Sequence, residues 1–208
     1  MKSEVILQLL ELNRQFYQTF GAEFSATRGR IQPGVRKILE RIGRDDSILD
    51  LGCGNGEFAR QLAEHGHTAP YLGLDFSLPL LNDAARIPEN FPARFLAFDI
   101  SADDWSLIPN TYSLITAFAT LHHIPGDETR LRILQNIHQR LSPRGQFIFS
   151  NWQFLNSERL RARVQAWDAA VHLFRSFPLE GEDIHVAKYL AQCLKSAGLP
   201  VDPVKSIE

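Results

Sequence analysis

Residues 47–63 constrain this chain more than any other stretch. Ser47-Ile48-Leu49 is an apolar run of the kind that forms a buried strand, and Phe58-Ala59-Arg60-Gln61-Leu62-Ala63 reads as an opening helix. Between them lies Asp50-Leu51-Gly52-Cys53-Gly54-Asn55-Gly56-Glu57. A strand, a glycine-rich turn and a helix predict a ligand-binding loop. Glycines at alternate positions leave backbone that a ligand can approach closely. The spacing is G-x-G-x-G, not the G-x-G-x-x-G that sets a pyrophosphate on a helix N-terminus. Asp50 at the strand end and Glu57 at the helix start are poor neighbours for a pyrophosphate. They suit a phosphate-free ligand that carries a positive centre.

From residue 47 onward, strand and helix patterns alternate. Strands are expected at 47–51, 70–75, 94–99, 112–118 and 145–150, and helices at 56–65, 77–86 and 127–141. This alternation predicts an α/β fold, a doubly wound and mostly parallel sheet covered on both faces. Tyr112-Ser113-Leu114-Ile115-Thr116-Ala117-Phe118 is nearly all apolar or small, as burial on two sides requires. Ser77 is an expected helix N-cap, and Ser142-Pro143-Arg144-Gly145 an expected turn ahead of the fifth strand. Before the sheet, helices at about 4–20 and 33–43 flank a break at 21–30. Residues 1–44 are too few to bury their own core and read as a helical cap over the ligand. After residue 150, helices are expected near 156–175 and 185–197. A short strand follows at 201–207, which Pro203 marks as an edge. The expected organisation is a single domain over 1–208: cap 1–44, ligand-binding core 45–150, C-terminal helices and edge strand 151–208.

Composition narrows the partners. The 208 residues are 44% hydrophobic and 22% charged, ordinary for a globular domain. Two cysteines, Cys53 and Cys193, cannot build a disulfide framework. With no signal-peptide pattern and no apolar stretch of membrane-spanning length, a cytoplasmic location is expected. The net charge of −2 gives no global attraction to nucleic acid or to an anionic membrane. Arg14, Arg28, Arg30, Arg36, Lys37 and their neighbours make residues 1–44 basic, and Arg159, Arg161 and Arg163 form a second cluster. Both read first as solvated helix faces, and second as the border of a site for an anionic substrate. His65 and His67 lack a third ligand, so no metal is expected.

S-adenosylmethionine, with its sulfonium and ammonium, fits the phosphate-free ligand described above. At this point the chain resembles the class I S-adenosylmethionine-dependent methyltransferases, since DLGCGNG (Asp50–Gly56) is similar to their first motif almost letter for letter. The likeness covers most of residues 14–154 and is strongest at 47–77 and 112–154. It implies a Rossmann-like class I methyltransferase fold with a helical N-terminal cap and a shortened C-terminal end. It also implies S-adenosyl-L-methionine as cofactor, held by Asp50, Gly52, Cys53 and Gly54 of the loop. Asp75 ends the second strand and would accept from the ribose hydroxyls, with Phe76 against the adenine and Ser77 beside it. Asp99 would take the adenine amino group, and Ile100 would supply an amide and apolar cover. Ala117, at the end of the fourth strand, completes the implied cofactor set. Ala117-Phe118-Ala119-Thr120-Leu121-His122-His123-Ile124-Pro125 resembles the family's segment after that strand. His122 or His123 could accept a proton from an acceptor or orient it, the alternative being packing and helix entry.

Phe16-Tyr17-Gln18-Thr19-Phe20 and Phe24-Ser25-Ala26-Thr27-Arg28 resemble one branch of the superfamily. That branch contains tRNA methyltransferases that esterify a carboxymethyl group on wobble uridine, and bacterial relatives of unknown substrate. The resemblance implies Tyr17 and Arg28 at the cofactor's methionine carboxylate. Trp152 and Gln153 either line an acceptor pocket or pack in the core. The expected activity is methyl transfer to an acceptor the sequence does not identify, a small molecule slightly ahead of tRNA. For tRNA, a partner subunit would have to supply phosphate contacts that a charge of −2 lacks. An NAD-dependent oxidoreductase is opposed by the glycine spacing and Glu57. A cofactor-binding subunit without its own activity is suggested by the C-terminal end, which offers one strand where the family usually has a two-stranded hairpin.

Overall fold

β1 (Ile48–Leu51), β2 (Tyr71–Asp75), β3 (Ala93–Ala97), β4 (Tyr112–Phe118) and β5 (Leu141–Ser150) form one sheet in the order β3-β2-β1-β4-β5. All four pairings are parallel. The helices are α1 (Ser3–Thr27), α2 (Pro33–Leu39), α3 (Glu57–Glu64), α4 (Leu78–Ala84) and α5 (Asp127–Arg140). The structure, a computed structural model, describes residues 3–27, 29–109, 111–151 and Glu158. Residues 3–151 lie in one compact unit. The expected helices and strands near 156–207 fall outside the described residues, as do Trp152 and Gln153.

Strand order explains where a ligand can go. The chain runs outward from β1 to β3, then crosses back to place β4 on the other side of β1. That reversal opens a crevice at the carboxyl ends of β1 and β4. β1 sits at the centre, and Ile48, Leu49 and Leu51 are each 0% exposed. Val35 and Leu39 of α2 join Phe58 and Leu62 of α3 in a cluster with Ile48, Tyr71, Phe91 and Leu114. Among the described residues, no helix is long and apolar enough to cross a membrane, and no group of three or more His, Cys, Asp or Glu could hold a metal ion.

Three expected boundaries are displaced by four residues or more. The helix expected to stop near residue 20 runs on to Thr27. Gly21 is not a break but a contact point: a Cβ there would stand 3.1 Å from both Pro79 Cβ and Ser77 Oγ, so glycine lets α1 lie close against α4. Helix α2 stops at Leu39, four residues short of expectation. The fifth strand begins at Leu141 and encloses the expected turn. Tyr112 pairs with Leu141 and Leu114 with Gln146, so residues 142–145 bulge out opposite the single residue Ser113. Arg144 within that bulge has φ +67°.

Candidate functional site

The carboxyl ends of β1, β2 and β4, the turn after β3, α1 and the connection into α2 enclose a cavity of about 230 Å3. Helix α1 forms its roof. Leu10, Arg14, Tyr17 and Phe24 of α1 line the cavity at alternating spacings of four and three with Gly21, the spacing of one helix face. Only Leu9 and Gly21 of this helix are buried, so it is fastened largely by polar contacts. Arg14 Nη2 donates to Asp99 Oδ2 at 2.5 Å and Gln18 Nε2 to the Phe76 carbonyl at 3.0 Å. Ser77 Oγ donates to the Tyr17 carbonyl at 2.9 Å, and Asn55 Nδ2 to Ser25 Oγ at 3.1 Å.

The glycine loop is shaped by two different demands. Gly52 has φ +72°, and a Cβ there would fall 2.4 Å from Thr120 Oγ1. Gly54 has φ +56°, and a Cβ there would meet nothing within 4 Å: it would project into open space while Gly54 lines the cavity. Gly52 is required both by its φ and by the contact with Thr120, whereas Gly54 is required by its φ alone and leaves the cavity beside it open. The Gly54 amide donates to Asp75 Oδ2 at 2.9 Å, and the Ser77 amide to Asp75 Oδ1 at 2.9 Å. Burial raises the Asp75 carboxyl, while amides of Ser77, Gly54 and Phe76 pull it back. Asp99 is half-buried, and the Ser101 hydroxyl and Arg14 outweigh that desolvation and hold it below its ordinary value. Ser101 Oγ donates to Asp99 Oδ1 at 2.6 Å.

Several expected site residues line the cavity: Tyr17, Gly52, Gly54, Asp75, Phe76, Asp99, Ile100 and His123. Others do not. Asp50 is 2% exposed and turned into the sheet, where Tyr71 Oη donates to Oδ2 at 2.6 Å and Thr116 Oγ1 to Oδ1 at 2.7 Å. Burial drives its pKa up to about 6, against the opposing bonds from Tyr71 and Thr116. Cys53 is packed behind the loop, where a Cβ on Gly73 would stand 2.9 Å from its Sγ, and burial pushes its thiol well up. Ser77 is 0% exposed; it makes no side-chain cap on α4 and ties that turn to α1 instead. Ala117 is 0% exposed within β4, and its successors Phe118, Ala119 and Thr120 face the cavity. Glu57 pairs with Arg60 at 3.0 Å. The negative charge at the cavity therefore belongs to Asp75 and Asp99 rather than Asp50 and Glu57. Arg28 lies outside the described residues.

The two histidines part company. His123 lines the cavity, with Nε2 3.3 Å from Tyr17 Oη, whereas His122 does not. Burial lowers both, His122 to about 4 with the help of its neighbour His123 and against a bond with Asn151. Both rings are neutral near pH 7. Asn13, Asn55 and Phe118 line the cavity without having been anticipated as site residues, and Arg14 and Arg30 line it although solvated helix faces were the first reading of the basic residues of 1–44. The repeat of Leu10, Arg14, Tyr17 and Phe24 is the signal that would have found Arg14.

Comparison with known proteins shows a family and a fold. The profile of a family described as a methyltransferase domain matches residues 22–204. The tRNA (carboxymethyluridine(34)-5-O)-methyltransferase of Schizosaccharomyces pombe is 24% identical over 142 residues, which is 68% of this chain and 58% of that protein. The chain spans 29% to 58% of the length of three such curated relatives. An S-adenosylmethionine-dependent methyltransferase from Mesorhizobium loti shares the fold at TM-score 0.59 and 22% identity, over 82% of this chain and 81% of that one. A TehB-like one from Corynebacterium glutamicum aligns at TM-score 0.51 and 25% identity, over 74% and 84%.

Proposed function

The chain belongs to the methyltransferase domain family, and from that premise we propose that it is an S-adenosylmethionine-dependent methyltransferase whose acceptor is a small molecule held inside the roofed cavity. The residues suit the cofactor. Gly54 leaves open space where a side chain would stand, Asp75 offers a carboxylate at the end of β2, and Asp99 offers a second beside Ile100 after β3. Asp75 would hold the ribose hydroxyls, Asp99 and Ile100 the adenine edge, and Phe76 its face. Tyr17 would border the methionine end, with Arg28 as the carboxylate partner that family likeness suggests. When bound, S-adenosylmethionine supplies an electrophilic methyl carbon, and transfer to the acceptor leaves S-adenosylhomocysteine.

What the chain contributes is alignment and exclusion of water. Helix α1 covers the cavity, and Phe24, Phe58 and Phe118 give it apolar walls. His123 is neutral, so Nε2 can take a proton from a hydroxyl or amine acceptor; with the ring proton on Nδ1, the Tyr17 phenol donates to it in the resting enzyme. A carboxylate acceptor would need no base. His122, outside the cavity, backs His123, with ring centroids 4.1 Å apart.

The observation that carries the small-molecule reading is the roof. A nucleotide still attached to its RNA would have to enter a cavity of about 230 Å3 past α1, on a chain whose net charge is −2. The name of the Schizosaccharomyces pombe relative favours tRNA as the second reading. Labelled S-adenosylmethionine, incubated with the protein and a cell extract split into tRNA and small-molecule fractions, decides between them. Label in the small-molecule fraction is expected; label in tRNA alone overturns the proposal. No label in either fraction, with cofactor binding intact, would make the chain a binding subunit.

A further inference from the structure

Helix α5 lends no residue to the cavity, yet it holds the turn that carries Asp99. Arg132, Asn136 and Arg140 stand four residues apart and form one stripe along the helix. Asn136 Oδ1 accepts from Arg140 Nη1 at 3.3 Å. Each end of the stripe donates to a backbone carbonyl of the segment after β3. Arg132 Nη2 donates to the Ser101 carbonyl at 2.6 Å, and Arg140 Nη2 to the Trp105 carbonyl. Trp105 Nε1 in turn donates to the Ile100 carbonyl at 3.1 Å. Among the described residues Arg132 makes no ion pair, so what it supplies is a directed donor rather than a charge partner. Ser101 is the next link. It is buried, and its amide and its hydroxyl both donate to Asp99 Oδ1, at 2.9 and 2.6 Å. A carboxylate oxygen accepts about two such bonds. Oδ1 is therefore filled from within the turn, and Oδ2 is the oxygen for which a ligand can contend with Arg14.

Resting on the placement of the cofactor's adenine at Asp99 proposed above, we propose that Arg132 is a positioning residue for recognition of the adenine amino group. It fixes the Ser101 peptide from behind, Ser101 fills Asp99 Oδ1, and Oδ2 is thereby aimed at the edge of the base. An acceptor held in one direction favours a base that carries an amino group. It opposes one that carries a carbonyl oxygen at the same place, because two acceptors would then face each other with no proton between them. Arg132 thus sets base selectivity without itself reaching the ligand. Arg130, two residues earlier, makes the same kind of bond at the other end of the cavity: its Nη1 donates to the Ile124 carbonyl at 2.7 Å, just after His123. Arg130 therefore separates bracing by α5 in general from the path through Ser101.

The probes are S-adenosylhomocysteine and S-inosylhomocysteine, which carries a carbonyl oxygen where adenine carries its amino group. Both are titrated by calorimetry into the full chain. The parent should prefer the adenine form by about tenfold or more. Arg132→Met keeps the stem and loses the donors, and should cut that preference to about threefold or less. Ser101→Ala should do the same, and the double variant should lose little more, since the two side chains act in one path. Arg132→Lys, which restores a donor, should recover part of the preference. Arg130→Met should retain it. The inference is overturned if folded Arg132→Met keeps the parent's preference, if it weakens both ligands alike, or if Arg130→Met erodes the preference equally. Should Arg132→Met fail to fold, Ser101→Ala with the parent's preference overturns it as well. The two proposals fail separately. A parent that does not discriminate between the bases removes Asp99 from the adenine edge. A parent that discriminates through neither Ser101 nor Arg132 removes only the role of Arg132.

Discussion

Asp50→Asn separates a structural carboxylate from a ligand-binding one. Asp50 lies between Tyr71 and Thr116, fully inside the sheet, and its pKa is raised from 3.8 to about 6 by burial. At about 1.36 kcal/mol for each pKa unit, that difference is worth about 3 kcal/mol. The folded state holds the proton more tightly than the unfolded chain. The stability contributed by Asp50 is therefore fully present below pH 3.8 and lost as pH rises through about 6. About 1 kcal/mol is already gone at pH 4.5, which leaves about 2 kcal/mol to disappear by pH 7.5. Asparagine keeps the shape and cannot ionise. Urea unfolding at those two pH values should show the parent losing about 2 kcal/mol more than Asp50→Asn across the interval. Since Asp50 does not face the cavity, the variant should bind S-adenosylhomocysteine within about twofold of the parent. Parallel pH dependence of the two proteins would refute the burial argument, and a tenfold or greater loss of affinity would refute the placement of Asp50.

Gly54→Val should abolish S-adenosylhomocysteine binding in calorimetry while preserving the far-UV circular dichroism, because the added branch fills cavity space and opposes a φ of +56°. Asp75→Ala should weaken the same ligand by about 1.5–3 kcal/mol, the usual cost of a lost charged acceptor, and unchanged affinity in a folded protein would remove the ribose assignment. His122 has its folded pKa lowered to about 4 by burial and by His123, so its contribution to stability is present above pH 6.5 and lost as pH falls toward 4. His122→Gln should flatten the acid limb of a thermal-melting profile between those values, and an unaltered limb would count against a buried neutral ring.

Much of the sheet was legible because its strands are continuous apolar runs separated by turn residues, and four of the five strands lie within two residues of expectation. Asp75 and Asp99 were legible as residues of the crevice because each ends or follows a strand whose carboxyl end opens on it, and both line the cavity. Asp50 carries the same local signature and does not line the cavity. Its partners Tyr71 and Thr116 stand on neighbouring strands, 21 and 66 positions away. No local pattern tells which face of β1 will meet a tyrosine hydroxyl rather than a ligand. Gly21 misled the reading of α1 for a related reason: its low helix propensity suggests a break, but close packing against Pro79 and Ser77 repays the missing side chain. With the helix unbroken, the stripe of Leu10, Arg14, Tyr17 and Phe24 becomes visible as a cavity wall.

The fastening of α1 has a kinetic consequence. Three of its ties end on the turns that would have to touch the cofactor: Arg14 on Asp99, Gln18 on the Phe76 carbonyl, and Tyr17 through the Ser77 hydroxyl. Entry and exit are then not independent of the resting protein's own hydrogen bonds, since a ligand reaching Asp99 competes with Arg14 for the same oxygen. With few buried apolar contacts, such a helix opens at a small fraction of the global unfolding free energy. The residence time of anything inside is thus set by how often those ties release together, and an enzyme built this way can hold a ligand long without holding it tightly.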